Sequence, residues 1–303
     1  MGSILIQAVS FLLVILVAYL FKKGGILKEQ DGHVLSKIIV HITLPAAIIM
    51  GFNGASVNAT FFLMIFLGLF SNILLVVLGG FLWRNKSAVD QSLLMFGISG
   101  YNIGNFTMPF VQGFFPTAVP FLGSFDMGNS LMLSGGTAVT VDKMTGQSKE
   151  AFSIVRTAQK LLSSPPFTTY LIMLALALSG FILPASVMSV VQLFSNANAF
   201  LSMFMIGLYL ELQIDRSSLT TVAKVLGIRY GFGAILAAAF YFLLPLPQIV
   251  RTILVLLAFA PFGSLSTINA IIYGSKSSLV GFLSSASILI SLLLMTSILI
   301  LLL

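Results

Sequence analysis

The chain has 303 residues, 58% hydrophobic and 8% charged, with a mean hydropathy of +1.09. That composition excludes an ordinary soluble domain and points to a chain solvated by lipid. The formal net charge is +7, and the absence of cysteine excludes disulfides and thiolate metal sites.

A membrane-spanning helix needs roughly 20 mostly apolar residues, and about ten segments meet that criterion. They lie at 3–21, 35–52, 60–83, 91–114, 117–140, 167–184, 187–210, 219–244, 250–274 and 278–303. The first is uncharged from Ser3 to Phe21 and no small-residue cleavage site follows it, so it is expected to be a helix and not a removed leader. The basic residues then sort by connection. Lys22, Lys23, Lys28 and Lys37 flank the first, Arg84 and Lys86 the third, Lys143, Lys149, Arg156 and Lys160 the fifth, Arg216 and Lys224 the seventh, and Lys276 the ninth. The even-numbered connections hold only Arg251. The positive-inside bias therefore places the odd connections in the cytoplasm and both termini outside a cytoplasmic membrane. The basic excess reads as a topology signal and not as a nucleic-acid footprint.

The second span carries His41, which in most such settings is structurally bonded. The fourth contains "GISGYNIGNFTMPFVQGFF" (97–115), with two asparagines, four glycines, a threonine and a proline between apolar runs. Proline removes a backbone donor and glycine adds freedom, so the helix is expected to break near Asn102–Pro109. In the fifth span Asp126 falls about mid-helix, with Asn129 and Ser130 on its face. A buried acid here is either a protonatable coupling or gating site, or a structural acid bonded to the broken backbone.

The connection 141–166 contains "SKEAFSIVRTAQKLL". Ala151, Ile154, Val155, Ala158 and Leu162 follow helical spacing, and Lys149, Arg156 and Lys160 share the other face. This reads as an amphipathic helix on the inner membrane surface, linking two halves. Pro165 and Pro166 end it and start the sixth span. Glu211 closes the seventh span near the interface. Arg229 lies inside the eighth, either as a partner of Asp126 or reaching an aqueous cavity. The ninth is interrupted by "APFGSLSTINAIIYG" (260–274), so a second break is expected near Pro261–Ser266.

Five spans precede the linker and five follow it, so the second half enters from the opposite side and any repeat is inverted. Gly113 and Gly274, and Phe121-Leu122 and Phe282-Leu283, are each 161 positions apart. That offset sets Asn102 opposite Gly263 and Asn105 opposite Ser266. The expected architecture is an all-α integral membrane protein. Residues 1–140 form the first five-helix repeat, 141–166 the linker and 167–303 the inverted second repeat, with broken helices 4 and 9 crossing. Unpaired backbone is tolerated at membrane depth only where it lines a cavity or is buried in protein. Each break also creates a helix N-terminus whose amides and dipole favour an anion. The alternative for either stretch alone is close helix packing, since Gly100 and Gly104 form a small-xxx-small pattern.

These residues resemble a known family. "SGYNIGNFTMPFV" is similar to the Asn-x-Gly-Asn-x-x-x-Pro stretch in the fourth helix of the auxin efflux carrier family. "LPAAIIMGF" (44–52) is similar to its second helix, "MIGLYLEL" (205–212) to its seventh, and "FDMGNSL" (125–131) to the fifth helix of bacterial members. The resemblance runs in order over essentially the whole chain. It implies the fold of bile-acid–sodium symporters, with helices 1, 2, 6 and 7 as a scaffold able to form a homodimer. Helices 3–5 and 8–10 are then a moving core. By motif match, Asn102, Gly104, Asn105 and Pro109 are the first-half binding residues, and Pro261, Ser264, Ser266 and Asn269 their counterparts. Asp126, Asn129 and Arg229 are the coupling or gating candidates.

The implied function is secondary transport of small organic anions, malate-like carboxylates, by an elevator movement with proton or sodium coupling and no cofactor. A sodium-coupled symporter of the bile-acid type is the nearest alternative, and an anion channel ranks third. Enzyme readings fail on motifs. Two histidines, His33 and His41, make no His-Glu-x-x-His zinc site, no Gly-Lys-Ser/Thr phosphate loop occurs, and Asp126 has no second well-placed acid. The charge pattern predicts that cysteines introduced at Ser148 or Ser217 react with an impermeant thiol reagent only from the cytoplasmic side. One at Thr117 should react only from outside. External labelling at Ser148 would overturn the inverted arrangement.

Overall fold

The computed structural model describes residues 2–147 and 153–302. Helix α1 spans Gly2–Lys23. Helix α2 (Asp31–Ile38) continues through a wide turn at Ile39–Thr43 into α3 (Leu44–Phe52), and α4 spans Ala59–Leu82. Helix α5 (Ala88–Ile98) stops. The chain resumes through a wide turn at Ile103–Thr107 into α6 (Met108–Gln112). Helix α7 (Val119–Leu131) runs through a third wide turn, Met132–Gly136, into α8 (Thr137–Thr145). Then follow α9 (Ile154–Leu162), α10 (Pro165–Ser179), α11 (Ala185–Tyr209), α12 (Arg216–Leu243), α13 (Gln248–Ala258), α14 (Ser264–Ile272) and α15 (Ser277–Leu302). Among the described residues there is no strand, only one isolated bridge.

Local chemistry sets several of these boundaries. The Asn58 side chain accepts from the Thr60 and Phe61 amides at 3.0 and 3.3 Å and opens α4. Ser87 and Ser153 accept from the Asp90 and Arg156 amides and open α5 and α9. Such caps are worth about 1 kcal/mol each. Pro165 and Pro166 occupy the first turn of α10, where a missing amide costs nothing, and Gly180 ends that helix in the left-handed region.

Six helical stretches are long and apolar enough to cross a membrane: Ile4–Lys23, Asp31–Phe52, Ala59–Leu82, Ala185–Tyr209, Arg216–Leu243 and Ser277–Leu302. The pair α9 and α10 makes a seventh if counted as one bent span. The expected fourth and ninth spans are not among them because each is cut in two, and the expected fifth carries Asp126 and is interrupted by the wide turn at Met132–Gly136, where Gly135 is non-helical. The outer face is apolar, with Phe66 55%, Leu193 71% and Phe242 78% exposed. Side chains of this size in contact with surroundings over several long helices mark a membrane-embedded protein.

Helix α9 turns away from α10 by 82°. It exposes Ile154, Val155 and Leu162 and buries Leu161. The part of the expected amphipathic helix at 148–152, with Lys149 and Ala151, lies outside the described residues. Its inner side rests on the wide turn in the fifth span, where a Cβ built on Gly135 would come within 2.8 Å of Thr157 Oγ1.

Packing follows two groups. α11 lies against α1 and α3, with α10 on the other side of α3. Lys22 Nζ donates to the Leu210 carbonyl at 2.6 Å, which ties the C-terminal ends of α1 and α11 together. In the second group α4 packs on α7 and α5, and α12 on α13 and α5. The α4–α7 contact is backbone against backbone. A Cβ on Gly68 would collide with the Phe125 carbonyl, and one on Gly128 with the Ile65 carbonyl. Without a hydrophobic driving force between helices in lipid, this approach supplies the association energy through dispersion and close dipoles. Gly128→Val should therefore lower stability by more than about 2 kcal/mol, read as a fall in the midpoint of thermal unfolding in detergent. The same change at Gly227, where an added Cβ meets nothing within 4 Å, should leave that midpoint nearly unchanged.

Candidate functional site

The two broken helices meet. α5 ends at Ile98, and residues 99–102 cross the molecule in extended form before the helix resumes at Ile103. Gly100 makes this possible with φ of +75°, a left-handed conformation that L side chains rarely adopt, and a Cβ there would also strike Ser266 Oγ. α13 ends at Ala258 and the helix resumes at Ser264, with Gly263 as its extended N-cap. The two extended pieces lie antiparallel. Tyr101 bridges Phe262, and the Asn102 amide donates to the Pro261 carbonyl at 3.0 Å. The first break thus begins earlier than Asn102–Pro109. Pro109 sits inside the first turn of α6, just after the wide turn at Ile103–Thr107, where the widened backbone makes room for its ring.

Arg229 of α12 holds the crossing. Its Nη1 donates to the Gly97 carbonyl at 2.9 Å. Its Nη2 shares its two N–H groups among the carbonyls of Gly100, Ala260 and Pro261 at 3.0, 2.8 and 3.0 Å. The guanidinium also lies 5.7 Å from the Tyr101 ring. Of the two settings expected for Arg229, beside Asp126 or at an aqueous cavity, the structure instead gives it carbonyl partners, off the wall of the cavity described below. Four carbonyls freed by two helix breaks provide enough negative partial charge to hold the buried cation, and one planar fork spans them.

Two asparagines complete the account. Asn72 Oδ1 accepts from the Gly100 amide at 2.7 Å. Asn129 embraces Tyr101 on both sides: Oδ1 accepts its amide at 3.1 Å and Nδ2 donates to its carbonyl at 3.0 Å. Across the crossing, Ser287 Oγ accepts from the Phe262 amide at 3.1 Å. These backbone groups of the two crossing pieces are thus paired within the protein, while Arg229 Nε is left without a partner.

Beside the crossing is a cavity of about 720 Å³. The first break contributes Asn102, Gly104 and Asn105 to its wall, and the second contributes Ser264 and Asn269. The fifth span supplies Asp126, Asn129 and Ser130, the second His41, and the α9–α10 bend Lys160, Pro165 and Tyr170. Pro109, Pro261, Ser266 and Arg229 stand off the wall. Pro261 acts through its carbonyl, and Ser266 Oγ is buried against Gly100 without a hydrogen-bond partner. His41 Nδ1 bonds the Lys37 carbonyl at 2.9 Å.

No protein-family model matches the chain, and no curated protein sequence matches it. The chemistry of the site therefore rests on its geometry. Two helices begin at this wall, at Ile103 and at Ser264, and neither N-cap residue supplies a side-chain cap. The amides of their first turns have no carbonyl one turn back, and residues of both turns line the cavity, so two positive dipole ends lie at its wall. Asn105 Nδ2 lies 3.5 Å from Ser264 Oγ, at the limit of a hydrogen bond, which brings the two N-termini together. The one carboxylate on the wall, Asp126, accepts from Asn129 Nδ2 at 2.9 Å through Oδ1 and from Tyr170 OH at 3.1 Å through Oδ2. Asn129 thus connects Asp126 to the crossing strand.

Asn72, Tyr170 and Ser287 were not singled out in the sequence. Asn72 carried a usable signal, as an amide inside the apolar run 60–83. Tyr170 sits in an apolar run and Ser287 among other serines of the last span.

The crossing makes a clear prediction. Arg229→Leu should fail to give folded protein, because four buried carbonyls lose their donor. Arg229→Lys keeps a charge but cannot reach both breaks, and should lower stability by more than about 2 kcal/mol, measured by thermal unfolding. Arg229→Lys with unchanged stability would remove the brace.

Proposed function

We propose that the protein is a secondary transporter of small carboxylates in the cytoplasmic membrane, of the auxin efflux carrier type. It works by alternating access, with ten spans arranged as two inverted five-helix repeats. The scaffold is α1–α3 with α10 and α11, and it is the surface for any homodimer. The moving core is α4–α8 with α12–α15. The observation that carries this reading is the convergence of two helix N-termini on one cavity of about 720 Å³. That volume suits a small organic ligand, and paired broken helices at the repeat interface are where transporters bind their substrates. The repeat is supported by Asn102 and Gly263. Both stand at the N-caps of the resuming helices, and they are 161 positions apart.

In this reading one substrate carboxylate sits at the amides of Ile103–Asn105 and Ser264, with Asn102, Asn105 and Asn269 as side-chain donors. Asp126 shares the cavity. Two carboxylates in one site of low dielectric repel, so the site fills only when one charge is neutralised. Asp126 taking up a proton as substrate binds removes the repulsion and couples the two. The cavity wall includes Lys160, Pro165 and Pro166, next to the connection placed in the cytoplasm by the positive-inside bias, so this conformation is open inward.

A thermal-shift screen of the purified protein against small carboxylates identifies the substrate, because a ligand that binds only folded protein raises apparent stability. With it in hand, Asn102→Ala or Asn105→Ala should weaken binding roughly ten- to hundredfold, the cost of one hydrogen bond to a charged group. Asp126→Asn should leave binding intact and make uptake indifferent to a proton gradient. Wild-type affinity in both alanine variants would sink the anion site. Uptake driven by sodium alone, unaltered in Asp126→Asn, would replace the proton with sodium and move the coupling elsewhere.

A further inference from the structure

A second set of buried polar groups lies beyond the cavity, on α11 and the elements packed against it. Ser195, Asn198 and Ser202 are spaced by three and four residues along α11 and so form one stripe, about 10 Å long. The stripe faces Thr43, next to the cavity-lining Leu44, and Gln112 at the far end of α6. Thr43 Oγ1 donates to Asn198 Oδ1 at 3.0 Å, and Gln112 Nε2 donates to Ser195 Oγ at 3.0 Å.

These groups are incompletely paired. Asn198 and Ser202 are fully buried, yet Asn198 Nδ2 and Ser202 Oγ have no hydrogen-bond partner, nor has Gln112 Oε1. Whichever way the Asn198 amide is turned, one of its two polar atoms is left over. Folded proteins leave few buried polar atoms unpaired, and each calls for an explanation. Serine and asparagine are common where membrane helices pack, but there they serve by forming interhelical hydrogen bonds, which these atoms lack. Three unpaired polar atoms in one seam, leading from the edge of the inward cavity towards the opposite face, suit a surface that is solvated in another arrangement of the same parts.

We propose that Asn198 and Ser202, with Thr43 and Gln112, are a second substrate contact on the scaffold side of the carboxylate's path, met as the crossing moves outward. The proposal rests on the transport reading above and goes beyond it by naming the donors the carboxylate meets when the crossing moves outward. Asn198 Nδ2 and the Ser202 and Thr43 hydroxyls are neutral donors, so they hold the anion weakly enough to release it. In the present arrangement α6 reaches the stripe through the Gln112–Ser195 bond, which serves as the closing contact, while the Thr43–Asn198 bond lies within the scaffold and orients the Asn198 amide.

Asn198→Leu and Ser202→Ala remove the polar atoms with little change of volume. Each should lower uptake of an accepted carboxylate into proteoliposomes roughly tenfold or more. Equilibrium binding to the purified variants should stay within about twofold of wild type, because the inward cavity is untouched. Wild-type uptake in both variants overturns the proposal. So does a parallel loss of binding and uptake, which assigns the seam to folding or to the first site. If Asn198→Leu does not fold, Asn198→Cys serves in a chain that has no other cysteine. An impermeant thiol reagent applied outside should label it during turnover and more slowly with saturating substrate present. No labelling during turnover overturns the proposal. Failure of the unmodified protein to bind any carboxylate sinks the transport reading itself, whereas retained uptake by Asn198→Leu sinks only the outer contact.

Discussion

The architecture depends on one electrostatic arrangement: a single guanidinium shared by four carbonyl groups from two interrupted helices. A helix broken in a membrane leaves polar backbone that lipid cannot solvate. Here Arg229 takes one carbonyl from the end of α5, one from the crossing strand after it, and two from the crossing strand after α13. Each element alone is unfavourable at this depth, a buried cation on one side and orphan carbonyls on the other. Together they neutralise one another without a carboxylate. That leaves Asp126 with only neutral partners, Asn129 and Tyr170, and its charge is available to respond to what enters the cavity.

The asparagines extend the same logic into α4 and α7. Asn72 and Asn129 come from α4 and α7, whose backbones touch through Gly68 and Gly128. Close approach of those helices is what lets two short amide side chains reach the crossing strand at Gly100 and Tyr101. Glycine contacts, asparagine clamps and the arginine brace therefore form one unit. A rigid unit of this kind can carry a binding site intact while its neighbours shift, as the proposed movement requires. The apolar contacts between α6 and α1 suit that movement. Phe106 and Phe110 stack at 6.0 Å, and Phe11 meets Phe110 and Phe114 through ring faces and edges, none of which imposes hydrogen-bond register.

Much of this was legible in the sequence because lipid makes strong demands. Apolar length placed the helices within a few residues, and the clusters at 97–115 and 260–274 marked both breaks. Asn102, Gly104, Asn105, Ser264, Asn269, Asp126 and Asn129 do share one cavity wall. Other features escaped because they depend on pairing across the fold. Pro109 drew attention as a helix breaker, yet a wide turn absorbs it and the chain breaks at 99–102 instead, where Gly100 allows the turn. Arg229 invited pairing with the nearest buried acid. Its true partners are carbonyls, which every residue possesses and no sequence pattern advertises. Asn72 lies 28 residues from the glycine whose amide it accepts, and nothing in its own span points there.

The brace also bears on how the chain enters the membrane. Synthesis delivers the N-terminal half first. When α5 and its crossing strand emerge, the Gly97 and Gly100 carbonyls and the Asn102 amide have no partners, since Arg229 and Pro261 are more than 120 residues away along the chain. The first break must wait, held by Asn72 and Asn129 alone, until α12 and α13 are inserted. Arg229 in turn is easiest to insert when its carbonyl cage is already present. Assembly of the central crossing is therefore a late event in biogenesis, and truncation anywhere before the ninth span leaves an N-terminal half that a membrane quality-control protease can recognise by its unsatisfied backbone.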